Sequence, residues 1–217
     1  MRAALQGSSV ALASCRACPR LASYLDEVRE QHPDYHAAPV AAWGSKRARL
    51  LVVGLAPGMH GANRTGRPFT GDASGVFLFA ALARSGFATD ARPDHAALRG
   101  VRITNAVKCL PPGNRPSMAE VRECGGHLHA ELEELWHPGV RQPRCILALG
   151  QIAHQAIGGA LGERLPPFRH GQVQRLADTL WLADTYHPSR QNTNTGRLTV
   201  AMLDEVLEVV RGLLQAP

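Results

Sequence analysis

Four short apolar runs limit what this chain can fold into: Leu50–Leu55, Val101–Val107, Cys145–Leu149 and Leu180–Thr185. Each has the length and the Val, Ile and Leu content of a strand covered on both faces. Helix patterns alternate with them. Asp72 or Ser74 caps a helix that ends at Arg84, with Gly86 just beyond. Ser117-Met-Ala-Glu120 is a capping box that opens a helix running to about Trp136. Further helices are predicted over Gln151–Ile157 and Thr199–Leu214, and Ser14–Glu30 reads as one more near the N-terminus. Strand followed by helix four times predicts an α/β fold, an open parallel sheet with helices on both faces. The 217 residues suit one domain, and no run of 18 apolar residues exists to cross a membrane.

In such a sheet the working loops gather at the carboxyl ends of the strands. Here these are 54–72, 105–116 and 186–197. The first is not a phosphate-binding P-loop, because no Gly-Lys-Ser/Thr follows it, and it lacks the G-x-G-x-x-G spacing of a dinucleotide site. It carries five glycines, Arg64, Arg67, Phe69 and, at a helix start, Asp72. An aromatic beside arginines suits a base stacked in a pocket with phosphates held outside. Asp72 reads as a helix cap, a functional acid, or both. In the third loop His187 stands at a strand end, placed to donate a hydrogen bond to charge on a leaving group. Ser189, Arg190 and Gln191 beside it are short phosphate donors.

The charge balance is 24 Lys plus Arg against 18 Asp plus Glu, a net +6, and only Lys46 and Lys108 are lysines. Arginine's planar fork grips phosphate, so nucleic acid is one explanation; compositional drift is the other. The five cysteines say more. Residues 1–12 show no sustained apolar stretch, so they do not read as a secretory leader, and a cytoplasmic chain favours metal over disulfides. Cys15 and Cys18 form a C-x-x-C pair, and Cys109 and Cys124 a looser one. Spacing alone leaves zinc, an iron–sulfur cluster or packed thiols open. Cys145 opens an apolar run and reads as a core thiol.

Three motifs in order carry a family resemblance. GLAPG with GANRTGRPFTGD, then TNAVKCLPPGNRPS, then HPSRQNTNTG, resemble the family 5 uracil-DNA glycosylases over nearly the whole chain. The resemblance implies one three-layer α/β/α domain over 1–217 with a four-stranded parallel sheet. It also implies base-excision repair: uracil, and after it hypoxanthine, flipped out of double-stranded DNA and hydrolysed from the sugar. It assigns a [4Fe-4S] cluster to Cys15, Cys18, Cys109 and Cys124, leaving Cys145 outside. His187 becomes the donor to the departing base and Phe69 the stacking platform, while Asn105 reads the amide edge. Gly54, Ala56, Gly58 and Asn63 surround the base. Arg64, Arg67, Arg115, Ser189, Arg190 and Gln191 fall to DNA contacts, as does Arg197. Many superfamily members carry a water-activating acid after the first strand, as in G-Q-D-P; here Leu55 and Ala56 stand there, so the acid is assigned to Asp72. A monomer is expected. The competing classes are a non-catalytic iron–sulfur DNA-binding module and a zinc hydrolase.

Overall fold

The computed structural model describes residues 11–215. The first ten residues, on which the reading of residues 1–12 as no secretory leader mostly rests, lie outside them. The order is α1 (Pro19–Gln31), β1 (Trp43–Gly44), β2 (Leu50–Gly54), α2 (Ala62–Thr65), α3 (Ala73–Arg84), β3 (Val101–Asn105), α4 (Met118–Glu123), α5 (Gly125–Leu135), β4 (Arg144–Leu149), α6 (Gln151–Leu161), β5 (Val173–Ala177), β6 (Leu180–Thr185), α7 (Arg190–Asn194) and α8 (Val200–Gln215).

The pleat of β2 sorts its side chains between two cores. Leu50 and Val52 join Leu78, Phe79 and Leu82 of α3 and Leu203, Leu207 and Val210 of α8 on one face. Leu51 and Val53 join Leu21 of α1, Val121 of α4, Leu128 and Leu132 of α5 and Ile157 of α6 on the other. The α/β class and the three layers follow from this double burial.

The sheet is larger than the expected four parallel strands: it has six, in the order β1-β3-β2-β4-β6-β5. The four inner strands are parallel, as predicted, while β1 and β5 pair antiparallel at the edges. Neither edge strand carries an apolar run. β1 has two residues, and β5 is Val-Gln-Arg-Leu-Ala with no fully buried position.

Three local differences matter for the site. The first helix begins at Pro19, so Cys15 and Cys18 sit in its lead-in rather than inside it. The helix predicted from Ser117 to Trp136 breaks at Cys124, ahead of Gly125 and Gly126. Ser117 and Glu120 form the capping box in full. The loop 186–197 contains the short helix α7, capped by Ser189, which accepts from the Asn192 N–H.

β6 is tied to its neighbour α6 by a buried pair: His154 Nδ1 lies 2.8 Å from Asp184 Oδ1, and His154 Nε2 2.9 Å from the Pro166 carbonyl oxygen. Burial pushes the Asp184 carboxyl up while His154 opposes the shift. This pair holds the strand three residues before His187. No described helix is long and apolar enough to cross a membrane.

Candidate active site

Parallel alignment of β2 and β3 puts Gly54 opposite Asn105, and the chain beyond them stays in step: Ala106 N–H donates to the Gly54 carbonyl and Val107 N–H to that of Leu55. β6 ends at the same edge of the sheet, beyond β4, and delivers His187, whose Cβ packs 3.2 Å from where a Cβ on Gly150 would stand. The three loops enclose a cavity of about 490 Å³ lined by Leu55, Ala56, Gly58, Phe69, Asp72, Asn105, His187, Ser189 and Arg190.

Phe69 is buried with φ +53, a strained setting for a bulky residue. Two glycines hold it there. A Cβ on Gly75 would lie 2.0 Å from the Phe69 carbonyl oxygen, and one on Gly54 2.6 Å from its ring. The same Gly54 Cβ would stand 2.4 Å from Asn105 Oδ1, which is buried and has no hydrogen-bond partner among the described residues. A buried acceptor left unpaired costs about 1–3 kcal/mol, a cost that a ligand donor removes.

Asp72 performs the first of the jobs that the sequence left open, the helix cap. Oδ1 accepts from the Gly75 N–H at 2.9 Å and caps α3. Oδ2 faces the first loop, where a Cβ on Gly61 would come within 2.2 Å of it and one on Gly58 within 3.2 Å. The two glycines therefore make room for the carboxylate. His187, 6.0 Å from the Phe69 ring between centroids, has its pKa pushed down to about 4 by desolvation. At neutral pH it is an uncharged imidazole.

Several assigned residues lie off the cavity wall, and one of them, Gly54, sits behind the Phe69 ring and Asn105. Asn63 is fully buried and not on the cavity wall; its main chain fixes the loop by donating to the Gly58 carbonyl and accepting from Ala37 N–H. Arg67 lies 3.8 Å over the Trp43 ring and donates to the Pro93 carbonyl, so its guanidinium packs the loop instead of meeting phosphate. Arg197 covers Tyr186 in a similar way, 4.6 Å from its ring. Arg64, Arg115, Arg190 and Gln191 are exposed. The cavity wall also includes Met59, His60, Ser74 and Asn114. Asn114 was legible in principle: it follows Gly113, and both take left-handed φ (57 and 61), which Asn tolerates better than most residues.

Cys15, Cys18, Cys109 and Cys124 line one small cavity together with Arg16, Lys108 and His127. Burial and the neighbouring thiols raise Cys18 to about 11 and Cys109 to about 12. Cys124 accepts a hydrogen bond from the Lys108 main-chain N–H at 3.3 Å. Cys145 is fully buried in the opposite core. Among the described residues no three His, Cys, Asp or Glu side chains converge closely enough for a single metal ion.

Gly54→Ala forces Phe69 or Asn105 out of place and is expected to cost about 1–3 kcal/mol of stability, read from urea unfolding. A wild-type unfolding midpoint would show that the wall has slack.

A family profile, the Uracil DNA glycosylase superfamily, matches residues 41–211. The type-5 uracil-DNA glycosylase of Mycobacterium tuberculosis is 47% identical over 213 residues, covering 92% of this chain and 78% of that protein. That of Thermus thermophilus is 46% identical over 206 residues, with 90% and 92% covered. A type-4 uracil-DNA glycosylase of Pyrobaculum aerophilum is 36% identical over 164 residues, with 71% and 74% covered. Sheet, cavity and these likenesses agree that the chain belongs to the uracil DNA glycosylase superfamily, in its type-5 branch.

Proposed function

We propose that the protein is a monofunctional DNA glycosylase that hydrolyses the bond between sugar C1′ and the base N1 of uracil in double-stranded DNA. The observation that carries this is one cavity walled by Phe69, Asn105, Asp72 and His187. The target nucleotide must leave the duplex to enter it. Phe69 offers a face for the flipped ring. The unpartnered Asn105 Oδ1 accepts from uracil N3–H, and the same amide donates to O4. Cytosine presents the reversed pattern at those positions, so it leaves buried groups unpaired and is rejected. Hypoxanthine offers N1–H beside O6, the same pattern as uracil, and the acid-free wall at Leu55 and Ala56 supports its acceptance as a second substrate.

As the bond breaks, the base gains negative charge and the sugar positive charge. His187 donates its N–H to O2 of the departing uracil, stabilising the anion without having to be charged itself. Asp72 keeps Oδ2 for the sugar side, where a carboxylate stabilises the cation and orients the attacking water. Exposed Arg64, Arg115, Arg190 and Gln191 near the loops serve as phosphate contacts.

Cys15, Cys18, Cys109 and Cys124 would hold a [4Fe-4S] cluster. The four thiols share one cavity, one accepts an N–H bond of the kind that tunes cluster sulfurs, and a cluster takes one thiolate at each of four separated irons. When bound, it supplies a rigid link between the lead-in to α1 and the α4–α5 break. We place the enzyme in the reducing cytoplasm, as a monomer.

Three measurements check these roles. Labelled duplexes carrying uracil opposite guanine or adenine, or hypoxanthine, are expected to yield alkali-labile sites, and Asp72→Asn to lower the single-turnover rate by about 10²-fold or more. No cleavage at any lesion sinks the enzyme in favour of a DNA-binding module; full rate in the variant leaves Asp72 as a cap alone. Purified protein is expected to be brown with about four irons per chain, and Cys109→Ala to lose both; a colourless, iron-free protein contradicts the cluster.

The third is pH. The folded-state value of His187 lies below the ordinary 6.5. The unfolded chain thus binds a proton that the folded protein refuses, and stability falls as pH drops from about 6.5 towards about 4. Ring ¹⁵N shifts are expected to show neutral imidazole at about pH 6. A protonated ring at that pH contradicts the neutral-donor role.

A further inference from the structure

Lys108 is fully buried and has no place in the chemistry above. Its three ammonium protons meet three acceptors: Thr104 Oγ1 at 2.6 Å, the Asn105 carbonyl oxygen at 2.8 Å and Glu131 Oε2 of α5 at 2.7 Å. Its main-chain N–H donates to Cys124 Sγ, its carbonyl accepts from Val40 N–H at 2.7 Å, and Cys109 is the next residue. One residue therefore joins the end of β3 to α5 through its side chain and, through its main chain, to the segment that carries two of the four clustered cysteines. The composition sharpens the point. Of 24 basic residues only two are lysines, and the other, Lys46, is exposed. No guanidinium nitrogen carries three N–H groups for three acceptors that meet at one atom, whereas an ammonium does.

We propose that Lys108 is a positioning residue that sets base specificity: it clamps the Asn105 main chain to α5 and the cysteine-bearing turn, so that the Asn105 amide meets the flipped base in one orientation. Lys108 touches no substrate. The proposal rests on Asn105 being the base reader, as set out under the proposed function. It gives a role to a buried ion pair that stability alone does not call for.

The test measures binding, not turnover, with duplexes carrying 2′-fluoro-2′-deoxyuridine or 2′-fluoro-2′-deoxycytidine at one position, which resist hydrolysis. K108M/E131M removes both buried charges and leaves none unpaired. It is expected to shrink the uridine-over-cytidine affinity ratio about tenfold, while in an Asn105→Ala background the same pair changes the ratio less than about twofold. Iron content should stay at the wild-type level. Thr104→Val, which keeps the ion pair, serves if the double variant does not fold: a smaller fall in the ratio is expected, again absent beside Asn105→Ala. Equal weakening of both probes with the ratio unchanged, or the same ratio change in both backgrounds, overturns the role of Lys108. Wild-type protein that binds both probes equally overturns the reading of Asn105 as the base reader, which separates the two failures.

Discussion

At Gly54 the end of β2 meets the Phe69 ring and Asn105 Oδ1 at distances that leave no room for a Cβ. That contact joins two of the three loops, because Phe69 belongs to the first and Asn105 ends the strand before the second. The strained φ of Phe69 persists only because Gly54 and Gly75 allow the backbone and ring to pack this closely. His187 completes the cavity because β6 runs parallel to β4, and Gly150 lets its Cβ approach. The site is thus a consequence of strand register, with glycines where chain segments nearly touch.

Electrostatics follow from the same packing. Desolvation keeps His187 neutral, which suits a donor that must meet a developing anion without competing for its own proton. Asp72 divides its two oxygens between a helix N-terminus and the cavity side, so its capping bond also fixes the direction of the free oxygen. Behind the wall, Lys108 forms a buried pair with Glu131 and also bonds the Asn105 carbonyl and, through its main-chain N–H, Cys124.

The inner sheet was legible because strands buried on both faces must be continuously apolar, and Leu50–Val53 or Ile146–Leu149 can be little else. The edge strands were not, since β1 is two residues laid against the distant β3 and β5 is the outer arm of a hairpin with β6, neither with much burial. The break at Cys124 was hidden by a helix pattern that continues on both sides of it. At the site, the loops and their chemistry-bearing residues were readable, but the side chains' directions were not. Arg67 and Arg64 look alike in sequence; Trp43, from a distant segment, takes up one and leaves the other exposed. Asn63 and Asn105 differ in the same way: both are buried, and only Asn105 reaches the cavity.

The central claim is that one base sits between Phe69, Asn105 and His187, beside Asp72. A crystal structure of the protein with a duplex carrying 2′-fluoro-2′-deoxyuridine tests it most directly. The account predicts an extrahelical uracil stacked on Phe69, with N3–H on Asn105 Oδ1, O2 within hydrogen-bond reach of His187 and C1′ facing Asp72. A uracil still paired in the helix, or flipped into the separate cavity beside His154 and Phe168, would contradict it.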